Sequence, residues 1–152
     1  MQIGFLYFCN HSLEWDCFVD YTFYYYTECN MPILSVEIIT RPDEQLRPEL
    51  AAELANRTGE VFGSAPGTTW VKVVLIPEDH YSENDCTSGS IHPVFVSVLK
   101  EKLPSPESMQ AEVAKLTEVI AQICDRPTEN VHIIYLPEAA GRIAFGGKLT
   151  RK

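Results

Sequence analysis

VKVVLIPED at positions 71–79 returns as VHIIYLPEA at 131–139, with Lys72 falling on His132, Pro77 on Pro137 and Glu78 on Glu138. A second match lies upstream of each: PILSVEIITR from Pro32 against PVFVSVLKEK from Pro93, with Arg41 on Lys102. The offsets are 60 and 61 residues, so one supersecondary unit is written twice in tandem. All four segments are rich in β-branched residues, as strands are.

Between the strands of each half lies a helical stripe. Leu46, Leu50, Leu54 and Val61 make the first; Met109, Val113, Leu116, Ile120 and Ile123 make the second. Ser105 is the expected N-cap of the second helix, with Pro106 at its first position. Pro48 would cost about 3 kcal/mol inside a helix, which moves the expected start of the first helix from Asp43 to Pro48. Each half therefore reads strand–helix–strand, a crossover that joins parallel strands. The expected fold is α/β (α+β): two tandem βαβ units, about 32–90 and 91–152, forming one four-stranded sheet with two helices on one face. The other face must also be covered, which implies self-association.

A chain of 152 residues holds one domain with a real core. Its net charge of −9 supplies no basic face for phosphates, which argues against nucleic acid as a partner. No apolar run approaches the roughly 18–20 residues that span a bilayer, so no membrane segment is expected. Cys9, Cys17, Cys29, Cys86 and Cys124 are odd in number and lack CxxC spacing, the pattern of free thiols in a reducing, cytoplasmic setting. Asn10 and Asn56 stand in glycosylation-type triplets that carry little weight without a secretory signal. His80, Asp85 and Cys86 are near neighbours in the polar linker 77–90, but no second ligand pair stands at fixed spacing. A solvated loop is the expectation there, with no metal and no cofactor. The Gly-Gly between Phe145 and Leu149 signals a hairpin and lacks the strand–glycine–helix setting of a phosphate loop.

Residues 1–30 are a different kind of sequence. They hold 10 of the 16 aromatics and three of the five cysteines, with no Lys or Arg. Glu14, Asp16 and Asp20 break the apolar run that a signal peptide requires, and a transit peptide would be Arg-rich. Two readings stand: a segment that packs on the domain, or an upstream extension outside the functional domain, with translation starting at Met31. The second is preferred, which divides the chain into an extension (1–30) and a domain (31–152).

If Met31 initiates and is removed, Pro32 becomes an amino-terminal secondary amine. Ordinary α-amino groups titrate near 7.7–8.0, and apolar burial or a neighbouring cation lowers that value. The ring makes such a base rigid, suited to taking a proton from carbon beside a carbonyl. The companion requirement is positive charge for a carboxylate and a developing enolate. Arg41, at the end of the same strand, and Lys72, within WVKVV, are the candidates. Each residue also has a bland reading: Pro suits a strand start, an end-of-strand Arg is commonly solvated, and Lys72 is the polar member of an alternating strand.

MPILSVEIITRPDEQ, TTWVKVVLIPE and GRIAFGGKL, in this order, resemble the tautomerase superfamily, specifically its 4-oxalocrotonate tautomerase-like branch with two fused βαβ units. The resemblance covers residues 32–152. It implies a homotrimer with sheets inside and helices outside, and a cofactor-independent tautomerase or isomerase acting on the enol or keto form of a small 2-oxo acid. The family's catalytic proline falls on Pro32, its first arginine on Arg41 after a one-residue gap, and its second on Lys72, which lacks the bidentate fork. The apolar pocket position falls on Ile143, with Phe145 beside it. Pro93 takes the proline position of the second half but is internal. Lys100 and Lys102 lie where fused relatives carry substrate-binding arginines, and Tyr135 is a weaker match to a tyrosine of dehalogenating relatives. Two other readings remain open: hydration, dehalogenation or decarboxylation at the same proline, or a non-catalytic trimeric binding protein if residues 1–30 stay attached.

Overall fold

The computed structural model describes residues 31–84 and 91–150. The leader, Asp85 and four of the cysteines (Cys9, Cys17, Cys29 and Cys86) lie outside them. The elements run β1 (Ile33–Thr40), α1 (Leu50–Phe62), β2 (Trp70–Pro77), β3 (Val94–Leu99), α2 (Pro106–Cys124), β4 (Val131–Tyr135), β5 (Ala144–Phe145) and β6 (Lys148–Leu149), with single 3-10 turns at Glu78–His80 and Thr128–Asn130.

The two βαβ units are those the repeat predicts. β1 pairs in parallel with β2, in register Ile33–Trp70 to Thr40–Pro77, and β3 pairs in parallel with β4. The halves join through an antiparallel β1–β3 pair, giving the order β2-β1-β3-β4. Alternation decides which face is buried. Leu34, Val36 and Ile38 of β1 and Val94, Val96 and Val98 of β3 point to one face, where they pack with Leu50, Leu54 and Phe62 of α1 and Leu116, Ile120 and Ile123 of α2. That core draws on both halves, and its members among the described residues run from Leu34 to Val131.

α1 starts at Leu50, later than either predicted start. The Leu50 N–H bonds to the Arg47 carbonyl in the turn that holds Pro48. Leu46 lies before the helix yet packs, half-buried, on the core. α2 begins as predicted, with the Ser108 N–H donating to the Ser105 hydroxyl oxygen at 3.3 Å and Pro106 in the first turn. β5 and β6 form the expected hairpin. Gly146 (φ 55°) and Gly147 (φ 81°) supply the two left-handed positions of its tight turn.

The second sheet face has no layer over it among the described residues. Trp70, Val74, Ile134 and Leu136 stand there exposed, Ile134 most of all at 56%. No described helix is long and apolar enough to cross a membrane.

Candidate active site

The start of β1 lies in the middle of the sheet, between β2 and β3, so whatever occupies it is walled on both sides. Pro32 immediately precedes it. It is less than 2% exposed, and its carbonyl accepts the Trp70 N–H at 3.0 Å. In the continuous chain its nitrogen is the amide of the Met31–Pro32 bond. Beside it lies a narrow recess, partly open to solvent and too tight to hold a water molecule, lined by Met31, Leu99, Lys100, Glu101, Ala139, Ile143, Phe145 and Thr150.

The recess wall is assembled by main-chain bonds beyond β4. The Ala139 N–H donates to the Lys100 carbonyl at 3.0 Å and the Ala140 N–H to Glu101 at 3.1 Å. These carry the chain to Ile143, whose carbonyl accepts the Thr150 N–H across the hairpin at 2.9 Å. The hairpin is then fixed to the sheet by Phe145, which meets Trp70 edge to face with centroids 5.2 Å apart. Ile143 and Phe145 therefore both reach the neighbourhood of Pro32.

The cations are distributed differently. Arg41 follows β1 at its far end, nine residues from Pro32 and so about 30 Å away along an extended strand. Its guanidinium binds the Asp125 carboxylate at 2.8 Å and the Asp125 carbonyl at 2.6 Å. The Arg41 hydrogen bond and charge hold the Asp125 carboxyl below its usual range. Lys72 pairs with Ser35 and stands exposed on the uncovered face, opposite to the helix side. Lys102 is exposed beyond the end of β3. One chain thus gathers Pro32, Ile143, Phe145 and Lys100, and leaves Arg41 and Lys72 elsewhere.

Lys100 is buried, 4% exposed. Its ammonium donates to both oxygens of Glu112, at 3.0 and 2.8 Å, and lies 4.9 Å from the centre of the Phe62 ring. Tyr135 donates to the same carboxylate at 2.5 Å. Burial, reinforced by the hydrogen bond and charge of Glu112, pushes the Tyr135 phenol well above its ordinary value. Tyr135 is thus a fixed donor and no source of phenolate. Glu112 escaped the sequence reading, although a signal was present: it lies three residues after Met109 and four before Leu116, on the apolar stripe, where a carboxylate needs a buried partner.

A second unforeseen centre holds the opposite end of the sheet. Arg126, with its side chain 1% exposed, binds Glu44 at 2.9 and 2.6 Å, the carbonyl of His92 at 2.8 Å and that of Ile39 at 3.1 Å. Burial works against the Glu44 charge, but the bonds from Arg126 and the Arg41 N–H outweigh it and leave the carboxyl pKa lowered. Nothing in the sequence DRP flags Arg126, because its partners are distant in the chain. Among the described residues no group of three or more His, Cys, Asp or Glu is arranged to hold a metal ion.

No family model matches the chain, and no curated protein matches it either. Solved structures do. MIF2 from Leishmania major superposes with a TM-score of 0.57 at 14% identity, over 79% of this chain and 97% of that one. A fused 4-OT solved as an asymmetric trimer gives 0.64 at 14% identity, over 77% and 94%. A malonate semialdehyde decarboxylase inhibited by 3-bromopropiolate gives 0.58 at 18% identity, over 75% and 88%. The chain has the fold of the tautomerase superfamily in its two-unit form.

Proposed function

We propose that the protein is a cofactor-independent tautomerase acting on a small 2-oxo acid or its enol, with Pro32 as amino-terminal base. The observation that carries this reading is the position of Met31. It lines the recess immediately ahead of the buried Pro32, so its removal both creates the amine and enlarges the space in front of it. In the keto-to-enol direction the amine takes a proton from the carbon beside the carbonyl, and the enolate oxygen takes one from solvent water. The resulting ammonium returns the proton in the reverse direction. Ile143 and Phe145 supply an apolar wall that keeps the amine poorly solvated and its pKa low.

The substrate's negative charge requires cations that a single chain does not bring to Pro32. The uncovered apolar face supports assembly into a homotrimer through the sheets, as a trimer is recorded for fused 4-OT. Assembly supplies Lys72 and Arg41 from neighbouring copies, as partners of the carboxylate and the enolate. The Arg41–Asp125 pair is exposed, and such pairs are worth only about 0–1 kcal/mol, so a substrate carboxylate can replace Asp125. Hydration or dehalogenation through Tyr135 is the weaker reading, because that phenol is already committed to Glu112.

The intact mass of the protein from its native source tests the premise. A mass lacking residues 1–31 supports the enzyme reading. The full 17.2 kDa would leave Pro32 an amide and favour a non-catalytic binding protein.

A further inference from the structure

Pro32 and Lys100 face each other across β1 and β3. The antiparallel register runs to Ile33–Leu99, and one further step sets Pro32 against Lys100. The Ile39 N–H bonds to the Pro93 carbonyl, so odd-numbered residues of β1 hold the hydrogen-bonded positions. Pro32–Lys100 is then a non-hydrogen-bonded pair, with Cα atoms about 4.5 Å apart and side chains on one face. Both residues are buried. The Lys100 ammonium is bound to the Glu112 carboxylate of α2 at 2.8 and 3.0 Å.

Other titratable groups at this end of the sheet are Glu101 in the recess wall, Tyr135, bonded to Glu112, Lys148, which pairs with Phe145 in the hairpin, and Arg142, held on the Glu138 carbonyl. β2 brings Trp70 and Val71 to this end, α1 brings Phe62 and the hairpin brings Phe145. Lys72 lies on the opposite sheet face.

We propose that Lys100 and Glu112 form an electrostatic pair that sets the basicity of the Pro32 amine, a positioning role that rests on the reading of Pro32 given above. Lys100, the nearer charge, disfavours protonation of the amine. Glu112 limits that effect and keeps the ammonium turned toward α2. Lys100 accordingly tunes the base and does not bind the substrate carboxylate.

The test is the titration of the Pro32 nitrogen, followed by NMR in 15N-proline-labelled protein that begins at Pro32. In Glu112→Gln the uncompensated ammonium lowers the amine pKa by about one unit, and in Lys100→Met the pKa rises by a similar amount. A purely structural pair produces no such opposition of sign. Shifts of one sign, or none in folded variants, overturn the proposal. Should either single variant unfold, Lys100→Met combined with Glu112→Leu replaces the pair with apolar residues. Its amine pKa is expected above that of the unsubstituted protein, and an unchanged value overturns the proposal. Failure of the catalytic reading looks different: full activity in Pro32→Ala, with these shifts intact.

Discussion

Trp70 and Phe145 meet edge to face with ring centroids 5.2 Å apart, and this contact fastens the closing hairpin over the head of β1. Trp70 is also the residue whose N–H binds the Pro32 carbonyl. One aromatic pair thus links the strand that carries the proposed base to the loop that carries the apolar wall.

Phe145→Ala removes that link. The pair itself is worth about 0.5–1.5 kcal/mol beyond its area, so thermal unfolding should shift down modestly while the sheet persists. Turnover should fall more than stability does. The comparison is a melting curve against steady-state kinetics on the same preparation.

Arg126→Met leaves the Glu44 carboxylate without its main partner, a change expected to cost about 3–5 kcal/mol. The sign with pH follows from the lowered Glu44 pKa. Its stabilising contribution is fully present above the unfolded carboxyl value and is lost as pH falls through the lower folded value. Melting temperature measured against pH should therefore drop on acidification in the unsubstituted protein, with a shallower drop in Arg126→Met.

Burial raises the Cys124 thiol to about 11, so little thiolate exists at neutral pH. Alkylation of Cys124 in the native state, read by peptide mass mapping after iodoacetamide, should be at least about 100-fold slower than in denaturant.

Ile134 is the most exposed of the large apolar residues on the uncovered face. Ile134→Glu introduces a charge that the proposed assembly would have to bury, so light scattering should report a smaller species than for the unsubstituted protein, with monomers as the limit. Far-ultraviolet circular dichroism should change little.

The duplicated segments made the parallel pairs legible, since VKVV and VHII each close a unit of their own. Ser105–Pro106 marked the start of α2, and the Gly146–Gly147 turn marked the hairpin, because both signals are local. Pro48 misplaced the start of α1, since the turn around it carries the chain two residues further. Arg126 and Glu112 were missed for a different reason. Their partners, Glu44 and Lys100, are brought to them only by the packing of α2 against the sheet, and no local pattern records that. Arg41 directly follows β1 and pairs with Asp125, and a position in sequence does not say to which subunit's recess a side chain belongs.

The most direct measurement is the rate of enol-to-keto conversion of a 2-oxo acid, followed by ultraviolet absorbance, in protein beginning at Pro32 and in its Pro32→Ala form. A loss of about 100-fold or more in kcat/KM, with the fold retained, is the result predicted for a proline base. Equal rates in the two forms would contradict it.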